Sequence, residues 1–139
     1  MTDSTGDERG RAATILLIEE DDDTRPILKR NLTGKGYHVI VAIDEEDAFE
    51  RTRDGAGRAD LILLNVVGVS TDAAVEAARR IREHAKYDGH TPIIVMAERY
   101  GPSLEGRDVP VGENEYVTYL EDSEQLHRLL AQLLGRVES

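Results

Sequence analysis

Two short stretches carry the residue types that could do chemistry. The apolar run Ile15 to Ile18 stops abruptly at Glu19-Glu20-Asp21-Asp22-Asp23, and a second run, "DLILLN", stops at Asn65. Paired carboxylates at a strand end can hold a divalent cation or move protons. Asn65 can attack nothing efficiently, because a neutral carboxamide oxygen is a poor nucleophile. Its amide can still donate a hydrogen bond to a neighbouring acid. If the two strand ends are neighbours, Glu19, Glu20 and Asn65 share one pocket. Asp21 to Asp23 read as acids that cap the following helix. His84 and His90 are close in sequence but lack a third ligand, so they read as a surface helix end and a loop, and His38 and His127 read as equally inert. Ser70 and Thr71 read as ordinary loop hydroxyls.

The elements that must position these residues follow from periodicity and breakers. Ile15 to Ile18 lacks alternation, which suits a strand buried on both faces. A helix follows, with Ile27, Leu28 and Leu32 at helical spacing, Asp22 or Asp23 as its cap, Pro26 in its first turn and Gly34 or Gly36 at its end. "YHVIVAI" is a second strand, and "DEEDAFERTRDGAG" a short helix. "DLILLN" is the third strand. "TDAAVEAARRIREHA" is an Ala-rich helix burying Ala74, Ala77, Ala78 and Ile81. "TPIIVMA" and "YVTYL" are the fourth and fifth strands, and "SEQLHRLLAQLL" is a closing helix with a stripe of Leu126, Leu129, Leu130, Leu133 and Leu134. Between the last two strands, Gly101, Pro102, Gly106, Pro110 and Gly112 leave room for one or two helical turns at most. Strands alternating with helices predict a parallel sheet covered on both faces, with its site beyond the carboxyl ends of the strands.

Composition narrows the function further. A chain of 139 residues suggests one domain, with a disordered tail over residues 1–13 and the folded domain over 14–139. Apolar residues make up 40% and aromatics 4%, so the core is aliphatic. There are 28 Asp+Glu against 17 Lys+Arg, a net charge of −11, which argues against nucleic acid and against an anionic membrane surface. The first thirteen residues nearly balance, Asp3, Asp7 and Glu8 against Arg9 and Arg11, so the acidity belongs to the folded part. With no cysteine, no signal-peptide core and no membrane-length apolar run, the expectation is a cytoplasmic protein.

"ILLIEEDDDTRPILKRNL", "GYHVIVAIDEEDAFE", "DLILLN", "TPIIVMA" and "GENEYVTYLED", in that order, resemble the receiver domain of two-component response regulators over about residues 14–137. The resemblance implies a flavodoxin-like, five-stranded parallel sheet of order 2-1-3-4-5, helices on both faces, and here a short or irregular fourth helix. It also implies a phosphorylation switch. In the family, an aspartate after the third strand takes phosphoryl from a histidine kinase. Mg²⁺ sits on two acids after the first strand. A hydroxyl after the fourth strand and a lysine after the fifth hold the phosphoryl oxygens.

Transferred residue by residue, the resemblance assigns the acid pair to Glu19 and Glu20 and the phospho-acceptor position to Asn65. The hydroxyl position falls on Ala97, the lysine position on Tyr119 and the switch aromatic on Tyr116, with Val67 offering a backbone carbonyl. Leu120 stands where the family usually has proline. Acceptor, hydroxyl and lysine are all lost, while the fold signals remain. Mg²⁺ is not expected at the vestigial set Glu20, Asn65 and Val67, because an amide replaces the third carboxylate. An Asn65 bond to Glu19 or Glu20 should relieve the acid repulsion, and Tyr116 should sit inward beside the space left at Ala97. The expectation is a stand-alone, non-enzymatic pseudo-receiver acting by protein–protein interaction. Its partner would be a histidine kinase, another regulator, or a second copy through the 98–137 face. Two rival readings stand beside it. One is a receiver still phosphorylated at a neighbouring acid such as Glu20 or Asp72, or at Asn65 after deamidation. The other is a flavodoxin-like small-molecule binder, disfavoured by the acidic, glycine-free "EEDDDTRP".

Overall fold

The structure, a computed structural model, describes residues 13–53, 58–65, 71–87, 91–97, 109–110, 114–119 and 123–134. Strands β1 (Thr14–Glu19), β2 (His38–Ala42), β3 (Leu61–Asn65), β4 (Ile93–Ala97), β5 (Val109–Pro110) and β6 (Glu115–Tyr119) form one sheet of order β2-β1-β3-β4-β6-β5. Helices α1 (Thr24–Gly34), α2 (Glu45–Arg51), α3 (Thr71–His84) and α4 (Ser123–Leu134) cover it.

The apolar runs are continuous because both faces of the sheet are buried. Leu16, Ile18, Ile62, Leu64, Ile93 and Val95 pack on one face beneath Ala48 of α2 and Ala74, Ala78 and Ile81 of α3. Ile15, Leu17, Leu61, Leu63, Ile94 and Met96 pack on the other beneath Leu28 and Leu32 of α1 and Leu126, Leu129 and Leu130 of α4. Each fully buried Ile or Leu contributes about 1.5–3 kcal/mol, so the central strands anchor the fold. Gly36, at φ +98°, takes the left-handed turn that leads from α1 into β2.

Five strands run parallel in the expected spatial order, but the sheet has a sixth. β5 pairs antiparallel with β6, Val109 opposite Val117 and Pro110 opposite Tyr116. The glycines and prolines that interrupt a helix here still permit two extended residues at a sheet edge, where proline is tolerated. The remainder of the expected irregular fourth helix, residues 98–108 and 111–113, lies outside the described residues, as do 1–12 of the expected tail. Ala13, assigned to that tail, belongs to the fold: its carbonyl accepts from the His38 N–H at 2.9 Å, and it packs on the second core face. The cap of α1 falls on one of the two expected residues, but the side-chain bonds come from another. Asp23 holds the N-cap position without a side-chain bond, and Asp21 instead accepts from the N–H and hydroxyl of Thr24, both at 2.7 Å. At α2, Asp44 accepts from the Asp47 N–H at 2.8 Å, a regular side-chain cap.

A buried acid closes the amino-terminal end of the sheet. Glu115, 3% exposed, starts β6 beside Ile93. Arg79 and Arg82, one turn apart on α3, donate to its two oxygens at 3.0 and 2.6 Å, and Arg82 also donates to the Thr91 carbonyl at 3.0 Å. Desolvation pushes the Glu115 carboxyl up, but the hydrogen bonds and charges of the two arginines outweigh it and hold it below its ordinary range. Replacing Glu115 by Ala should cost about 2–3 kcal/mol at neutral pH, less than a fully buried pair because Arg79 is half-exposed. A depressed folded value means this stabilisation is present above the ordinary 4.5 and is lost as pH falls through the lower folded value. Denaturant melts across the acid range should therefore show the two proteins converging at low pH.

Candidate functional site

The site forms where the strand order reverses. β1 lies between β2 and β3, and at its carboxyl end Glu19 pairs with Asn65 in register. Alternation then fixes the side chains: Glu19 follows the parity of Ile15 and Leu17, and Asn65 that of Leu61 and Leu63, so both leave the same face. Register and parity together bring the amide onto the acid. Asn65 Nδ2 donates to Glu19 Oε1 at 2.7 Å, and the Asp21 N–H donates to Glu19 Oε2 at 3.0 Å. Glu19 is fully buried and Asn65 is 3% exposed.

Desolvation raises the Glu19 carboxyl above its ordinary range, and the bonds from Asn65 and the Asp21 N–H offset this only in part. Asp21, by contrast, is lowered by its bonds from Thr24. Arg25, on the first turn of α1, donates from Nη1 to the Glu19 carbonyl at 2.8 Å and from Nη2 to the Asp22 carboxylate. Nothing in the local pattern of residues 19–25 distinguishes this arginine from a surface one. Its proximity to the acidic strand end, one helical turn on, was the available signal.

The remaining expected site residues are placed unevenly. Glu20 is exposed, so among the described residues the buried acid of the pocket is Glu19. The reason is parity: successive strand-end side chains leave opposite ways, and the residue after Glu19 already lies outside the sheet. Ala97 and Tyr119 end β4 and β6 and pair in register, which puts their backbones at the same carboxyl edge as Glu19 and Asn65. Tyr116 pairs with Ile94 and is half-buried against the second core face, away from full solvent exposure. Asp72 is exposed on the first turn of α3. Val67, Ser70, His90 and Leu120 lie outside the described residues.

Glu19 and Asn65 meet through a hydrogen bond and not through two oxygens turned to a common centre. Mg²⁺ requires several oxygen ligands in near-octahedral geometry. Both oxygens of Glu19 accept N–H donors, and the Asn65 group facing Glu19 is its NH₂.

The chain is 30% identical over 125 residues to the transcriptional regulatory protein YrkP of Bacillus subtilis, covering 88% of this chain and 50% of that protein. It is 37% identical over 86 residues to the transcriptional regulatory protein AfsQ1 of Streptomyces coelicolor, covering 62% of this chain and 35% of that protein. Thus it spans about half the length, or less, of these curated relatives. In structure it matches a response regulator receiver protein from Sinorhizobium medicae with a TM-score of 0.67 at 23% identity, over 90% of this chain and 96% of that one. No family model matches the chain. Among the described residues, no helix is long and apolar enough to cross a membrane.

Asn65→Asp should destabilise the fold by about 1–3 kcal/mol at neutral pH, since it removes the donor to Glu19 and sets two buried carboxylates together. Glu19 has a raised folded value, so its contribution is fully present below the ordinary 4.5 and is lost as pH rises through the folded value. The second carboxylate should raise Glu19 further. Urea melts at neutral and mildly acidic pH should show the deficit of Asn65→Asp shrinking as pH falls.

Proposed function

Because the chain belongs to the receiver domains of two-component response regulators, we propose that it is a pseudo-receiver, acting through protein–protein contacts without aspartyl phosphorylation. The observation that carries this reading is the Asn65–Glu19 bond. Attack on phosphorus needs a carboxylate oxygen, and the acceptor position offers an amide whose NH₂ is committed to the acid beside it. Ala97 has no hydroxyl and Tyr119 no cationic head, so a phosphoryl group would also lack its charge-stabilising partners. The pocket thus retains the architecture of the family and not the groups of the reaction. On this reading the protein is not an enzyme and takes no Mg²⁺. It signals by the surface it presents to a histidine kinase, another regulator, or a second copy of itself.

The direct test is incubation with acetyl phosphate and Mg²⁺, read by intact mass. The expected spectrum is unchanged. A stoichiometric gain of one phosphoryl group would overturn the reading, and peptide mapping would then locate it at Asn65 after deamidation, or at Glu20 or Asp72, both of which are exposed.

A further inference from the structure

We propose that the outer edge of β2 is a self-association site, where a second copy of this chain adds its own β2 antiparallel and joins two sheets into one. The proposal goes beyond the pseudo-receiver reading and does not rest on it, since β2 takes no part in the Asn65–Glu19 contact. β2 is the last strand of the sheet and pairs on one side only, with β1. The His38 N–H donates to the Ala13 carbonyl at 2.9 Å, so His38, Ile40 and Ala42 turn their backbone groups toward β1. Val39 and Val41, between them, turn theirs outward. The N–H groups that flank this pair are already used within the chain. Tyr37 donates to the Leu32 carbonyl at 3.2 Å, and Ile43 donates to Asp47 Oδ2 at 3.0 Å. The edge is therefore closed at both ends and open at Val39 and Val41. No proline and no charge interrupts Val39 to Ile43, although these are the devices that ordinarily block an exposed edge.

This opening is complementary to itself. With a two-fold axis perpendicular to the sheet at Ile40, Val39 of one copy lies opposite Val41 of the other. Each then exchanges both backbone bonds with its counterpart. Val39, Ile40 and Val41 are all half-buried, so their β-branched side chains keep surface that cross-strand pairing covers. Charge selects the same partner. Two copies of net charge −11 repel over most of their surface. Residues 24–43, however, hold Arg25, Lys29, Arg30 and Lys35 and no acid, and Asp44-Glu45-Glu46-Asp47 follows directly. β2 thus runs from a basic end to an acidic end. An antiparallel copy sets the exposed Lys35 of each chain toward the exposed Glu46 of the other, whereas a parallel copy sets like charge on like. Glu45 is held by Arg80 of its own chain at 2.7 and 3.0 Å, which leaves Glu46 to the second copy.

The test is amide hydrogen exchange of the full wild-type chain over a concentration series, with sedimentation equilibrium on the same samples. Sedimentation should show a reversible monomer–dimer equilibrium. Exchange at Val39 and Val41 should slow at least about tenfold from the dilute to the concentrated sample, while Ile40 and Ala42, already bonded to β1, stay slow throughout. Two variants, Lys35→Glu and Glu46→Lys, then test the charge pairing. Each alone should weaken self-association at least about tenfold, because it sets like charges together. Mixed in equal amounts they should associate again, since one chain then carries acid at both ends of β2 and the other carries base. A chain that stays monomeric at every concentration overturns the proposal. So does a dimer in which Val39 and Val41 exchange as fast as in the monomer, which would place the contact on another face. Open-ended aggregates without a dimer, charge variants that associate as the wild type does, or a mixture of folded variants that fails to associate overturn it as well. If a variant does not fold by circular dichroism, the wild-type exchange pattern decides alone. Phosphoryl uptake from acetyl phosphate would sink the pseudo-receiver reading and leave this equilibrium untouched, and a monomeric chain would leave that reading standing.

Discussion

A carboxylate with no solvent exposure at the end of a central strand must find donors inside the protein, and Glu19 finds them in Asn65 and the Asp21 N–H. The rest of the site depends on that constraint. Parallel pairing puts Glu19 directly beside residue 65, and the alternation of the strands turns both side chains to one face. With aspartate at 65, two buried carboxylates would face each other and could not both ionise without an outside cation. With asparagine, one oxygen is replaced by an NH₂ and the contact changes from repulsion to a hydrogen bond. On the pseudo-receiver reading, the asparagine that removes the nucleophile is therefore the same residue that satisfies its neighbour. Loss of reactivity and local stability are two consequences of a single atom.

The sheet carries a second buried acid at its opposite end, and the two are satisfied by different means. Glu115 sits between two guanidinium groups that tie α3 to β6, and its ionised form is favoured. Glu19 has neutral donors as its nearest partners, with the Arg25 guanidinium bonded to its carbonyl rather than its carboxylate, and its ionised form is disfavoured by burial. Full charge pairing suits a fixed structural clasp, where nothing needs to change. A buried acid left partly uncompensated is the pattern of a candidate functional site rather than of a structural clasp. The contrast within one sheet separates scaffold from site without reference to any relative.

Much of this was legible in the sequence. The unalternating runs at Ile15–Ile18 and Leu61–Leu64 read as strands buried on both faces, and their polar ends marked the edge where a site forms. The same feature hid which glutamate is buried. When both faces are apolar, the run carries no parity, so Glu19 and Glu20 look equivalent until the register is known. The start of the first helix stayed open among Asp21, Asp22 and Asp23 for a related reason: three consecutive aspartates satisfy the same local rule, and only the path of the chain puts Asp23 at the N-cap and gives Asp21 the bonds from Thr24. β5 was missed because two residues among glycines and prolines have no periodicity. The Arg79–Arg82–Glu115 cluster was missed because it joins distant segments. In retrospect, arginines one turn apart on an Ala-rich helix and an acid opening a buried strand were its traces.

A receiver that switches needs a ligand with different affinity for two states, and the covalent phosphoryl group is ordinarily that ligand. On the reading proposed for this chain, Asn65 removes the covalent ligand. A domain without such a ligand presents one dominant surface. This has a thermodynamic consequence for its partners. Binding to a switch is weakened by the fraction of molecules in the wrong state, whereas binding to a fixed surface carries no such penalty. Affinity is then set by contact chemistry alone, and regulation must come from the abundance of the protein or from the partner's own changes. On that reading Tyr116, which is partly buried against the second core face, is the aromatic that would otherwise report the switch.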